Sequence, residues 1–544
     1  MTAAGNRRPR WTAAVAGALL SALLLLAGCG GLLPGAGLPQ RPDGVTGGIW
    51  EEAISRDPHT LDPAHGVTLL DSRLIAMLFN GLVALTPDGR LVPDLAARWE
   101  VDDDGLTYTF TLREGVKFHS GREVSAEDVV FSFTRLLSPE TASPRAWVLF
   151  PIAGAQAFHT GLAGEVAGLE ALDEKTIRIT LEQPMAQFLH RLTMPAASVV
   201  DGTALRSLEG DGPGSAGTGP FRLERWERGR QLVFTAHRDY HWQRPYLDSI
   251  RWYIMPDRAA MIQAFSEGRL HAVELTPAEL RYLTDTLGWS GPLHKITLPA
   301  VYYLALNNQA PPLTDPLVRM AVHMAIDRED LLRRWLPRGY VPAQGAIPPG
   351  IAGYDPDRQL PGYDPLQAKQ LLDQAGLGTG FTLTITQTPS PAFQQLGREL
   401  AEMLGKVGIE VELRTLSSRE FYEAVDRGDA QAFIISWYGD YPDGENFLYP
   451  LFHSSAWGAA GNRARFASPE VDLMLAEIHN LPDEDRRVDL YRQVEDAVFK
   501  AVPWVPLFHP VRYHVTQPQV KNYQPAGYYQ GQRLWSVWLE EDSP

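Results

Sequence analysis

Segments with a hydrophobic period of two alternate along this chain with segments of helical period, and that interleaving restricts it to mixed α/β architectures. "TYTFTL" (107–112) sets Tyr108, Phe110 and Leu112 among threonines, and "TIRITL" (176–181) does the same with Ile177, Ile179 and Leu181; each predicts a strand with one buried face. Between them, "SAEDVVFSFTRLL" opens at Ser125 with Asp128 three residues on, a capping box ahead of a stripe of Val129, Val130, Phe133, Leu136 and Leu137. "YDPLQAKQLLDQAG" uses Asp364 as cap, Pro365 at the first helical position and Gly376 as the stop. "SPEVDLMLAEI" opens in the same way at Ser468 and Pro469. After residue 300 the pattern predicts a strand at 302–306, helices from Asp315, from Asp327 and over 366–375, and a strand at 381–386. A helix at 394–406, a strand at 408–414, a short helix near 419–427 and a strand at 432–437 follow. No repeat of fixed period is present.

The N-terminus is a targeting segment, set apart from the fold. Arg7, Arg8 and Arg10 precede an uncharged stretch from Trp11 to Ala27, followed by Gly28 and Cys29. The order Leu26, Ala27, Gly28, Cys29 resembles a bacterial lipobox, which predicts a lipoprotein signal peptide over 1–28 and lipidation at Cys29. Cys29 is the only cysteine of 544 residues, so no disulfide forms within one chain. A permanent anchor is the competing reading, but 17 residues rising ~1.5 Å each cover about 26 Å, short of the ~30 Å hydrocarbon core. Residues 29–47, rich in Gly and Pro, read as a tether.

The roughly 500 residues that remain suffice for two or more cores. Hydrophobic residues make up 44% and charged residues 21%, a composition of folded chain rather than disorder. The formal charge of −16 repels phosphate backbones, which argues against a nucleic-acid partner and is compatible with ligands that carry amines.

Six stretches taken in order carry a resemblance: 91–136, "GTGPF" (217–221), 304–332, 363–376, "SWYGDYPDGENFLYPLF" (436–452) and "VPWVPLFHP" (502–510). Together with the lipobox, they are similar to the family 5 extracellular solute-binding proteins, the oligopeptide- and dipeptide-binding components of ABC importers. The resemblance implies an α/β, bilobed periplasmic-binding-protein-like fold of type II, in the large three-subdomain form, with mixed sheets and a two-strand hinge. It implies a first lobe of 48–300 plus 508–544, with an inserted subdomain at about 66–205, and a second lobe of 301–507. The hinge falls near "ITLPAVYY" (296–303) and "WVPLFHP" (504–510). The implied function is capture and delivery of a peptide to the transmembrane subunits of a permease, without chemistry and without cofactor or metal. A lipid-anchored monomer on the outer face of the cytoplasmic membrane is the expected form.

In the family's peptide binders an Asp in a Trp-x-x-Asp-Tyr setting pairs with the ligand's ammonium group. Trp437, Gly439, Asp440 and Tyr441 match that pattern, which makes Asp440 the candidate anchor; an internal salt bridge or a turn cap is the alternative for "GDYPDG". Trp437 and Tyr438 are candidate pocket walls or, equally, core. His65, Gly66 and Val67, with Thr68, lie where the family brings first-lobe backbone to the ligand, while His65 also reads as a loop residue. His509, on the second crossover, is a candidate contact or a solvent-facing strand histidine. Some relatives carry an Arg three residues before the Trp; Ile434 stands there, so the receptor for a ligand carboxylate is unassigned.

Other motifs carry less. Gly212-Pro213-Gly214-Ser215-Ala216-Gly217 follows no strand pattern and opens no helix, as a dinucleotide site would require. His237 and His241 have helical spacing without the glutamate of a zinc protease. Ser125 and Ser132 lack the glycines of a nucleophile elbow. Asp440 and Asp443, on one turn, give no control over the separation that a glycosidase pair needs. Within the fold, an oligosaccharide or a nickel chelate is an alternative ligand, and a secreted hydrolase is the alternative from another class.

Overall fold

The computed structural model describes residues 41–208, 214–335, 340–481, 483–528 and 533–540. Residues 1–28, Cys29 and the tether as far as residue 40 lie outside the described residues. The last part of the expected tether, 41–47, has no regular element yet lies against the folded body. Arg41 donates to the Arg244 carbonyl at 2.7 Å and stacks over the Tyr246 ring at 3.7 Å.

Three larger sheets organise the described chain. The first has four strands in the order Ile49–Ile54, Ser249–Ile254, Gln231–Ala236, Phe221–Glu227, the first pair parallel and the rest antiparallel. The second is antiparallel, in the order Ala96–Val101, Thr107–Leu112, Thr176–Thr180, Leu169–Ala171. Its central strands bury the residues that the alternation predicts: Tyr108, Phe110 and Leu112 face one way into the core, joined by Ile177 and Ile179. The helix Ala126–Leu137 covers them, opened by the expected capping box of Ser125 and Asp128.

The third sheet has eight strands, and the strand Trp504–Thr516 organises it. Its first half pairs with Ala300–Leu306 and Tyr340–Pro342, its second half with Leu293–Thr297 and Ala272–Leu275. Beyond Ala300–Leu306 the sheet continues through Ala432–Tyr438, Phe381–Gln387 and Ile409–Thr415. Thirteen residues at ~3.3 Å each span about 43 Å, enough to run through separate cores. Val505, Leu507 and Phe508 pack with Leu304 and Ile434, whereas Val511, Tyr513 and Val515 pack with Phe265 and Leu275. The segment 293–306 accompanies it, interrupted between Thr297 and Ala300 at Leu298 and Pro299.

Capped helices include Pro316–Met324 with Asp315 as cap, Pro365–Gln374 with Asp364, and Pro469–His479 with Ser468, each cap side chain accepting from a first-turn amide. The longest described helix, Glu484–Ala501, was not among the expected elements. Its buried face carries Arg487 and Glu495 beside Tyr491, Val494 and Val498, so charge interrupts the apolar stripe that pattern reading looks for.

Candidate functional site

The strand Ala432–Tyr438 buries its first four residues and comes into partial exposure at Ser436, Trp437 and Tyr438. The chain then turns at Gly439, whose amide donates to the Pro299 carbonyl at 2.8 Å. A Cβ on Gly439 would lie 2.7 Å from the Phe447 ring and 2.9 Å from the Tyr528 hydroxyl, so glycine alone fits there. The Asp440 amide donates to Asn446 Oδ1 at 2.7 Å, and Trp437 donates from its indole to the Asn446 carbonyl at 2.8 Å. Asn446, in the first turn of the helix Glu445–Phe452, thereby fixes where Asp440 stands.

Asp440 faces a cavity of about 350 Å³, near the lower end of the ~300–1,000 Å³ typical of ligand pockets. One wall comes from Gly66, Val67, Thr68, Leu69 and Ser72, where Thr68 caps the helix Leu69–Leu78. Residues 194–196 and Arg145 extend it. The opposite wall is Leu298, Pro299 and Tyr438 to Asp440, closed by Gly527 and Tyr528. Among the described residues, Asp440 and Arg145 are the only charged side chains in this lining.

Those two charges face each other, with Arg145 Nη1 at 3.3 Å from Asp440 Oδ1. Arg145 also donates from Nη2 to the Val67 carbonyl at 3.1 Å and from Nε toward the Gly66 carbonyl at 3.4 Å. Burial pushes the Asp440 carboxyl above its ordinary value, and the pull of Arg145, with Arg191 farther off, does not offset it. The side chains keep 21% and 29% exposure, and their 3.3 Å contact is longer than the ~2.7–2.9 Å of a strong charge-assisted bond. A competing charge displaces such a pair cheaply.

The structure brings Gly66, Val67, Tyr438, Gly439 and Asp440 to one cavity and leaves the other candidates outside its lining. His65 bonds to Asp62 Oδ2 at 3.1 Å and to the Thr141 carbonyl at 3.0 Å, holding the loop rather than lining the cavity. Trp437 packs toward the core of Phe447 and Tyr491. Tyr441 is buried with Leu82 and Ala196, and its hydroxyl donates to Glu445 Oε2 at 2.5 Å. His509 is fully buried, which corrects the expectation of a solvent-facing histidine: the strand Trp504–Thr516 is covered on both faces. Its Nδ1 lies 2.9 Å from the Ala300 carbonyl, and burial lowers the imidazole to about 4, so it is neutral near pH 7.

Arg145, Met194, Leu298 and Tyr528 were not anticipated from the sequence. Tyr528 reaches across to donate to the Tyr441 carbonyl at 3.0 Å. Of the residues set aside as weak motifs, His241 and Asp443 are structural, while Gly212 and Pro213 lie outside the described residues. His241 bonds to the buried Asp94 at 2.9 Å, and Asp443 is buried, accepting from the Tyr491 hydroxyl at 2.5 Å instead of facing the cavity beside Asp440. Among the described residues, no three His, Cys, Asp or Glu gather as a metal site, and no helix is long and apolar enough to cross a membrane.

Residues 90–459 match the model of the bacterial extracellular solute-binding proteins, family 5 Middle. The chain belongs to the family 5 bacterial extracellular solute-binding proteins. The family and the relatives compared are binding proteins rather than enzymes. The probable di/tripeptide-binding protein 5 of Pseudomonas aeruginosa is 31% identical over 471 residues, spanning 82% of this chain and 87% of its own. Heme-binding protein A of Haemophilus influenzae is 32% identical over 464 residues, covering 80% and 82%. Among solved structures, an ABC transporter-associated periplasmic binding protein of Helicobacter pylori in complex with the peptide STSA superposes with a TM-score of 0.74. Its sequence identity is 26%, and the match covers 91% of this chain and 99% of that one. The family 5 fold of this chain is accordingly the bilobed, mixed α/β form of the periplasmic binding proteins.

Proposed function

We propose that this family 5 protein captures peptides between its two lobes and delivers them to the permease of an ABC importer, with no chemical step. The observation that carries this reading is the pair of opposite charges facing each other across one cavity, Asp440 from one wall and Arg145 from the other. A relative named for heme binding matches this chain as well as one named for di- and tripeptides, so family membership does not select the ligand. Facing charges of both signs favour a zwitterion over an oligosaccharide, and a carboxylate with no metal-ligand cluster around it among the described residues favours an amine over a nickel chelate.

In this reading Asp440 receives the ligand's ammonium group, a charge-assisted bond of about 1.5–3 kcal/mol that forms where water is partly excluded. Gly66 and Val67 offer backbone, and Tyr438 and Tyr528 offer aromatic walls that tolerate varied side chains. The first lobe comprises 48–300 with 508–544 and the second 301–507, joined at the paired segments 293–306 and 504–516. The interruption at Leu298 and Pro299 supports a hinge there, beside the cavity that these residues also line. Cys29, lipidated after removal of residues 1–28, holds the protein on the outer face of the cytoplasmic membrane.

Small-angle scattering of the purified protein tests capture and closure together. A mixture of di- and tripeptides is expected to lower the radius of gyration in a saturable way. No change in the radius, together with no heat of binding for the same mixture, overturns the reading.

A further inference from the structure

Asp440 gives a ligand's positive end a partner, but the position where some relatives carry an arginine holds Ile434, which is fully buried and presents nothing to the cavity. The negative end needs a cation that can be reached from the same space. Arg145 is the only cation in the lining among the described residues, and three acceptors surround its guanidinium: Asp440 Oδ1, the Gly66 carbonyl and the Val67 carbonyl, at 3.3, 3.4 and 3.1 Å. Two of these are neutral carbonyls with geometry at the long end of hydrogen bonding, and the third is a carboxylate that a ligand ammonium claims for itself. The planar fork of a guanidinium suits the two oxygens of a carboxylate better than it suits this arrangement.

We infer that Arg145 is the carboxylate receptor of the cavity and that it selects short zwitterions. This rests on the peptide reading above. The ligand's ammonium takes Asp440 from Arg145, and Nη1 so released turns with the guanidinium to the ligand's carboxylate, exchanging the long contacts of Nε and Nη2 to the Gly66 and Val67 carbonyls for charge-assisted ones. One ion pair becomes two, and the ligand joins the two walls. Length selection follows from reach. Each residue adds at most ~3.3–3.6 Å between the ligand's ends, and a guanidinium that starts 3.3 Å from Asp440 swings only a few ångströms on its stem. Dipeptides and tripeptides meet both charges at once; longer peptides leave one end unpaired.

The test is the ratio of affinities for a peptide acid and its C-terminal amide. A panel of di- and tripeptides drawn from Ala, Leu, Phe, Lys and Glu is titrated into the full purified protein, and the tightest member is remade as amide. In the wild type, amidation is expected to weaken binding about 10- to 100-fold. In Arg145→Gln, which keeps a donor for the Gly66 and Val67 carbonyls, the acid and the amide are expected to bind alike, and Arg145→Lys is expected to restore part of the ratio. A structural role for Arg145 would weaken acid and amide together and leave the ratio where it was. An amidation penalty below about threefold in the wild type, or one unchanged in Arg145→Gln, overturns the assignment while the peptide reading stands. If no member of the panel binds, the peptide reading falls and the assignment with it.

Discussion

Asp440 and Arg145 stand 295 residues apart in the chain and 3.3 Å apart across the cavity, each the only side chain of its sign in the lining among the described residues. Their separation in sequence ties the proposed recognition of a ligand to the way the chain folds back on itself. Neither charge forms a site without the other wall in place.

Replacing Asp440 with Asn removes the proposed partner of the ligand ammonium while keeping size and the backbone amide's hydrogen bond to Asn446. Affinity for a peptide with a free amine is expected to fall by about 1.5–3 kcal/mol, roughly 10- to 100-fold, with little change for the N-acetylated peptide. Isothermal titration of both peptides into wild type and Asp440→Asn checks it; equal affinity of wild type and variant for the free amine contradicts it.

The raised carboxyl of Asp440 also predicts how binding responds to acid. Ligand ammonium binds the ionised form, so affinity is expected to fade as pH drops through a midpoint above 3.8, the ordinary value for this group, and Asp440→Asn is expected to show no such midpoint. Affinity measured from pH 7 down to pH 4 checks it.

Glu495 is buried and accepts from the amides of Ala346 and Ile347, with Arg358 at 3.4 Å; burial raises its carboxyl to about 7. Since the folded protein holds this proton more tightly than the unfolded chain, Glu495 contributes its full stability below 4.5, the ordinary value for the group, and loses it as pH rises through 7. The difference amounts to about 3 kcal/mol over that window. Denaturation at pH 5 and pH 8 is expected to show a smaller pH dependence in Glu495→Gln than in wild type.

Asp94 is buried with no exposure and is held by Arg533 at 2.7 Å, by His241 and by Asn80, which ties the C-terminal segment to the rest of the chain. Arg533→Met leaves a buried carboxylate without its cation and is expected to cost about 3–5 kcal/mol in denaturant unfolding. Adding Asp94→Asn is expected to recover part of that loss.

Helix positions were legible where a cap marks the start: Ser125, Asp315, Asp364 and Ser468 open helices as their side chains imply. Strands with one exposed face showed through the alternation around Phe110 and Ile179. The strand Trp504–Thr516 did not, since burial on both faces removes the alternation, and His509 was therefore read toward solvent. The family pattern around Trp437 led to Asp440, but not to which of its aromatics wall the cavity: Tyr438 lines it, while Tyr441 serves the core. Arg145 left no local trace, because its meaning comes from a carboxylate on the far side of the fold.

The most direct measurement is mass spectrometry of what copurifies with the protein, recorded natively and then after denaturation to release and identify the small molecules. Heterogeneous peptides two or three residues long are the predicted result. A single sugar or a metal chelate in their place would contradict the account and remove Asp440 as the anchor of an ammonium group.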